Sequence, residues 1–255
     1  MTDLTGRVVV VTGASSGIGA ATATRLSEVG AKVALVSRRG DRLATAAANC
    51  PGPTTTIPLD VRDHEAIVGA VKVLEEDFGP VYGLVNCAGL SLGFGPAAGN
   101  EIDHWRTMVD TNITGTMNWL HALLPLMANR DEGHIVNVGS IAAKYPYLGG
   151  NVYGATKAFV HQLSANLRAD LQSSRVRVTC IAPGMARTEF ALVRFEGDHQ
   201  KVADFYGDIV TLQADDVAEA ILWAFTRPAH VNVNMIEIMS LEQPFGLGVS
   251  QAQGS

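Results

Sequence analysis

Seven short apolar runs, separated by stretches of helical periodicity, constrain this chain more than any single residue does. The runs are Val8–Thr12, Val33–Val36, Thr55–Leu59, Val81–Val85, His134–Val138, Val176–Ile181 and Val233–Ile238. Between them lie Ile18–Val29, Arg42–Ala48, His64–Phe78, Trp105–Met127, Tyr153–Leu171 and Asp215–Ala224, whose apolar residues recur at helical spacing. Continuous apolar strands are covered on both faces, so the alternation predicts a parallel sheet between two layers of helices. Right-handed crossovers then give a doubly wound α/β sandwich of three layers, with about seven strands.

Composition agrees with a folded enzyme-sized unit. The 255 residues are 47% hydrophobic and 17% charged, as in a globular chain and unlike a disordered one. No linker, repeat or composition break divides them, so one domain over 1–255 is expected. A net charge of −6 without a basic cluster argues against nucleic acid as partner. The early apolar run Val8–Val11 is too short for a signal or membrane segment, so no membrane partner and a cytoplasmic location are expected. Cys50, Cys87 and Cys180 lack paired spacing; free thiols in a reducing compartment are the reading, with no metal site. Between the sixth run and the last helix, residues 185–212 mix charges and aromatics after a strand's carboxyl end. They read as a substrate lid, with a solvated insertion as the alternative.

The first strand runs into Thr12-Gly13-Ala14-Ser15-Ser16-Gly17-Ile18-Gly19 and then a helix. Strand, glycine turn and helix in that order form the phosphate-binding end of a Rossmann-type fold. Gly13 permits the turn, Gly17 lets backbone approach a pyrophosphate, and Gly19 lets helix and strand pack closely. Ser15, Ser16 and Ile18 complete the loop, and the helix N-terminus offers amides to an anion. The second strand ends in Ser37-Arg38-Arg39, where NAD enzymes place a ribose-binding carboxylate. A hydroxyl and two guanidiniums instead suit a 2′-phosphate, which predicts NADP over NAD. Asp60-Val61, after the third strand, suits an adenine contact or a helix N-cap.

Tyr153 and Lys157 lie four apart, on one face of their helix. A nearby ammonium favours a phenolate and makes a tyrosine a usable acid/base. Ser140 ends a strand thirteen residues upstream. Together with Thr12–Gly19, Asp60-Val61, Asn86-Cys87-Ala88-Gly89, Asn112 and Pro183-Gly184, these motifs resemble the short-chain dehydrogenases/reductases along nearly the whole chain. The resemblance implies that Tyr153 exchanges a proton with the substrate oxygen, and that Lys157 lowers its pKa and binds the nicotinamide ribose. It implies further that Ser140 hydrogen-bonds that oxygen, and that Asn112 kinks its helix and holds a relay water. Asn86, Ala88, Gly89, Pro183, Gly184 and Thr188 are implied cofactor contacts. Cys87 replaces the family's second asparagine; a redox role for it lacks any partnering base.

Outside those motifs, Gly149–Val160, Thr188-Glu189-Phe190 with Val193-Arg194-Phe195, and Pro228–Asn234 resemble one branch most closely. That branch is the NADP-dependent 3-hydroxy acid dehydrogenases, acting on serine-like and 3-hydroxypropionate-like substrates and the matching semialdehydes. Reductases of sulfonated aldehydes such as sulfoacetaldehyde look similar. A small anionic substrate fits Arg187 and Arg194, since a guanidinium binds a carboxylate in bidentate fashion. Surface ion pairing is the alternative for each, and Tyr147, Lys144 and Tyr206 are further pocket candidates. A larger neutral ketone or sugar carbonyl, and a noncatalytic NADP-binding regulator, are the other readings. The resemblance also implies a homodimer or homotetramer built on the helices around Trp105–Met127 and Tyr153–Leu171. The apolar Pro244, Phe245, Leu247 and Val249 of the segment 243–255 lead to the expectation that part of it packs on a neighbouring subunit.

Overall fold

A computed structural model describes residues 1–245. Its strands are β1 (Val8–Thr12), β2 (Lys32–Ser37), β3 (Thr54–Pro58), β4 (Val81–Asn86), β5 (Gly133–Val138) and β6 (Val176–Pro183), then the two-residue β7 (Ala186–Arg187) and β8 (Leu212–Gln213), and finally β9 (Met235–Ile238). Seven of them form one parallel sheet in the order β3-β2-β1-β4-β5-β6-β9, while β7 and β8 pair with each other. The helices are α1 (Gly17–Glu28), α2 (Gly40–Ala48), α3 (His64–Asp77), α4 (Ile102–Val109), α5 (Gly115–Arg130), α6 (Asn151–Asp170), α7 (Glu189–Arg194), α8 (His199–Tyr206) and α9 (Ala214–Phe225).

Strand β1 shows why the apolar runs are continuous. Val9 and Val11 enter the core shared with α1, α2 and α9 through Leu26, Leu43 and Phe225. Val8 and Val10 enter the opposite core with Ile67 of α3 and Trp119 and Leu123 of α5. Both faces are dry, and each fully buried valine contributes about 1.5–3 kcal/mol relative to exposure. The strand order reverses between β1 and β4, which opens a crevice at their carboxyl ends, where ligands bind in such sheets.

One helix read as continuous from its periodicity is interrupted at Asn112, where the resemblance implies a kink. The helix read over Trp105–Met127 is not continuous: α4 and α5 are separated by a π-helical turn over Asp110–Thr114. Its cause is Asn112, whose side chain leaves the helix. Asn112 Oδ1 accepts from Leu90 N at 2.9 Å, and Nδ2 donates to Leu90 O at 2.9 Å and Thr156 Oγ1 at 3.0 Å. The bulge thus ties the helix to the loop after β4 and to α6. The segment between β6 and α9, read as a substrate lid with no elements assigned, carries the two short helices α7 and α8.

Candidate active site

The glycine loop packs against the loop after β4. Thr12 Oγ1 accepts from Cys87 N and Ala88 N, each at 3.0 Å, and so joins the two loops. A Cβ on Gly13 would lie 2.9 Å from Ala88 Cα, and one on Gly19 would lie 2.4 Å from Gly13 O. No larger residue fits either position without moving backbone. Ser16 precedes α1 without a side-chain cap, which leaves the first-turn amides for an anion. Its hydroxyl instead accepts from Arg39 Nη2 at 2.8 Å.

Arg39 also donates to Ser15 Oγ at 2.8 Å through Nη2, and Ser37 Oγ donates to Ser15 Oγ at 2.9 Å. Arg38 is exposed and stands 4.0 Å from Asp60. This hydroxyl-and-guanidinium cluster borders one groove with Gly13, Gly17, Ile18, Asp60, Val61, Ala88, Gly89 and Thr188, a donor set that fits a dinucleotide carrying an extra phosphate. Asp60 is not a helix cap; Asp63 caps α3 by accepting from Ala66 N at 3.0 Å. Arg62 holds the Asp60 carboxyl, with Nη2 at 2.7 Å, and its hydrogen bonds lower the Asp60 pKa. Asn86 Nδ2 donates to Asn137 Oδ1 at 2.9 Å, and Asn137 donates to Ser164 Oγ at 3.0 Å, a buried polar ladder under the groove.

The adjoining cavity gathers Ser140, Tyr153 and Lys157 with Tyr147, Pro183, Gly184, Phe190, Arg194 and Gln243. Ser140 caps a short turn, its hydroxyl accepting from Ala142 N at 3.1 Å. Lys157 is buried and donates to Val138 O at 2.8 Å. Its ammonium lies 5.9 Å from the Tyr153 ring centroid, against 5.2 Å for the Arg194 guanidinium carbon. Burial raises the Tyr153 pKa, and the Arg194 charge, then the Ser140 hydrogen bond, oppose it. Among the charges around this phenol Arg194 is the one that opposes the rise, while burial lowers the pKa of Lys157 itself. The same desolvation pushes Cys87 up to about 12, so its thiol stays protonated and inert.

The two arginines of the substrate reading part company. The β7–β8 pairing leaves Arg187 exposed, lying 4.6 Å over the Tyr206 ring and outside the cavity. Helix α7 carries Arg194 inward, where it is 3% exposed. Its guanidinium is ringed by Phe94, Tyr147, Tyr153, Phe190 and Phe205, and it donates to Tyr147 Oη at 2.9 Å. Among the described residues it forms no salt bridge and its Nε has no hydrogen-bond partner. Tyr206 lines the cavity and donates to Ala186 O at 2.9 Å. Lys144 stands outside, 3.5 Å from Glu237.

Sequence reasoning missed Gln243. Its Oε1 accepts from Met185 N at 2.7 Å, its buried Nε2 has no partner among the described residues, and the residue lines the cavity. Only the tertiary contact across 58 residues reveals it. Among the described residues no helix is long and apolar enough to cross a membrane, and no cluster of three or more His, Cys, Asp or Glu could hold a metal. Of the segment 243–255, residues beyond Phe245, including Leu247 and Val249, lie outside the described residues.

Comparison with known proteins agrees with this geometry. The family model described as short chain dehydrogenase matches residues 7–198. The chain is 45% identical over 247 residues to the NADP-dependent 3-hydroxy acid dehydrogenase YdfG of Salmonella typhi, covering 96% of this chain and 100% of that protein. It is 47% identical over 239 residues to sulfoacetaldehyde reductase 2 of Chromohalobacter salexigens, covering 92% of this chain and 95% of that protein. The solved closed form of serine dehydrogenase complexed with NADP+ superposes with a TM-score of 0.89 at 44% identity, covering 93% of this chain and 96% of that one. With the glycine loop, the Asn112 turn and the Ser140, Tyr153 and Lys157 cavity on one sheet edge, this chain belongs to the short-chain dehydrogenase/reductase family.

Proposed function

We propose that this protein interconverts a small 3-hydroxy acid and its semialdehyde, with NADP(H) as cofactor and Tyr153 as the acid/base. It is an NADP-dependent oxidoreductase acting on CH–OH groups. The bound nicotinamide supplies or accepts the hydride. In reduction the Tyr153 hydroxyl donates a proton to the carbonyl oxygen; in oxidation the phenolate removes it. Ser140 holds that oxygen beside Tyr153, and Lys157 and Asn112 connect the phenol to a proton path and a ribose hydroxyl. Ser37, Arg38 and Arg39 hold the 2′-phosphate. Residues 185–212 act as the lid.

The observation that carries the substrate class is Arg194. A cation 3% exposed and without a carboxylate among the described residues calls for an anionic partner. The Arg194 fork and Tyr147 hydroxyl would hold the substrate's acid group while its hydroxyl carbon faces Tyr153. Turnover assays with serine, 3-hydroxypropionate and malonic semialdehyde test this against neutral ketones. A preference for neutral carbonyls would refute it. A sulfonate would satisfy the same fork, and the resemblance to a sulfoacetaldehyde reductase favours testing sulfoacetaldehyde alongside.

We also propose a closed dimer or tetramer packed through α5 and α6. Exposed Val109 and Met117 flank the Asn112 turn, an arrangement suited to a symmetric interface. A stable, active monomer by size measurement would refute it.

A further inference from the structure

We propose that Glu189 sets the protein's discrimination between NADPH and NADH, by sharing the guanidiniums of Arg39 and Arg42 with the cofactor's 2′-phosphate. The inference rests on the assignment of that phosphate to Ser37, Arg38 and Arg39.

Glu189 opens α7 and projects toward the end of β2. Its Oε2 accepts from Arg39 Nη1 at 3.1 Å, and its Oε1 is bonded by Arg42 Nη1. Arg39 therefore works with two edges. Nε and Nη2 face the glycine loop, donating to Ser15 at 3.2 Å and 2.8 Å and to Ser16 at 2.8 Å, while Nη1 faces the lid. Neighbouring Thr188 caps α7 and would meet a Cβ on Gly17 at 3.2 Å, so the first turn of the lid sits on the phosphate loop itself. Burial raises the Glu189 pKa, but the hydrogen bonds of Arg39 and Arg42 outweigh it and lower the carboxyl overall. Glu189 is thus charged at neutral pH.

A 2′-phosphate carries about 1.5–2 negative charges. Arriving beside Arg39, it meets a carboxylate that already occupies Nη1 and repels it. NADH brings an uncharged ribose hydroxyl instead, which the carboxylate does not repel. Glu189 therefore holds NADPH affinity below what the three arginines would otherwise give, and leaves NADH affinity alone. The absence of an acid at the end of β2 and the presence of one on the lid then set the cofactor preference together.

The test is direct titration of the full chain with NADPH and with NADH, following ligand fluorescence, for the parent, E189Q, R39A, the double variant R39A/E189Q and E196Q. Glu196 is a second lid carboxylate, paired with His104 rather than with the cradle. Removing one half-exposed charge is expected to tighten NADPH about three- to tenfold. NADH should change less than about twofold, the E189Q effect should shrink in the R39A background, and E196Q should match the parent. Equal shifts for both cofactors, no shift, or selective weakening of NADPH by E189Q would overturn the proposal. If R39A leaves NADPH affinity intact, the phosphate cradle itself is wrong and the proposal falls with it. If R39A weakens NADPH while E189Q does nothing, the cradle stands and Glu189 alone is refuted.

Discussion

Replacing Arg194 with methionine separates charge recognition from every other contribution of the cavity. Methionine keeps most of the stem's volume and stays compatible with the rings of Phe94, Phe190 and Phe205 around it. Truncating one member of a buried, hydrogen-bonded charge pair costs about 2–5 kcal/mol. The cavity opens to solvent, which favours the lower half of that range, about 30- to 300-fold in kcat/KM for 3-hydroxypropionate. The methyl ester of the same substrate has no charge for the guanidinium to bind and should lose only what the shift of the Tyr153 titration takes from both substrates. The fall of about 30- to 300-fold is therefore read as the acid's loss relative to the ester's. Stability should barely change. The variant gives up cation–π contacts worth about 0.5–2 kcal/mol but also removes a buried Nε without a partner, a penalty of about 1–3 kcal/mol. A melting temperature within about 4 °C of the parent is expected. Initial rates of NADPH formation with acid and ester, on protein checked by thermal melting, decide the matter. An equal fall for acid and ester would refute the anion reading, since a guanidinium serving only as packing cannot distinguish them.

Three further outcomes follow from the site. Tyr153→Phe should lower turnover by at least about a hundredfold while NADPH titration is unchanged, because general acid–base catalysis contributes about 10²–10⁴; a half-active variant would remove Tyr153 from the chemistry. Oxidation needs the phenolate, so kcat/KM for the neutral ester rises with pH through the Tyr153 pKa. Arg194 is the largest influence lowering that pKa, so R194M should move the rise to higher pH, and an unmoved or lower midpoint would show that Arg194 does not acidify Tyr153. Ser37→Asp should weaken NADPH more than tenfold by setting a carboxylate against the phosphate, whereas NADH should bind as well as or better than in the parent; a parallel loss of both in titration would contradict the cradle.

The architecture was legible because the strands are buried on both sides. Val8 to Val11 feed two different cores in turn, so neither face could hold polar residues and the apolar runs stayed unbroken. The phosphate loop was equally plain, since backbone approach within 3 Å leaves only glycine. What resisted reading was set by partners distant in sequence. Periodicity over Trp105–Met127 cannot see that Asn112 bonds Leu90 and opens a π turn; the kink is implied only by the family resemblance, and its partners not at all. Arg187 and Arg194 looked alike as two cations in one lid; the β7–β8 ribbon turns one outward and α7 turns the other inward. The helical spacing of Tyr153 and Lys157 was correct, yet it said nothing of Val138 O, which engages the ammonium. Gln243 carried no local signal at all.

That glutamine bears on how the protein is handled at the bench. Gln243 lines the cavity and is held there by Met185 N, and a Cβ on Gly184 would collide with its Oε1. Part of the lining is thus supplied by the chain beyond the last strand, whereas the first strand is entered at the amino ends of the parallel sheet, opposite the cavity. A truncation that reaches Gln243 should leave a folded, cofactor-binding protein with a breached substrate chamber. An affinity tag belongs at the amino end, where it loads no part of the catalytic enclosure.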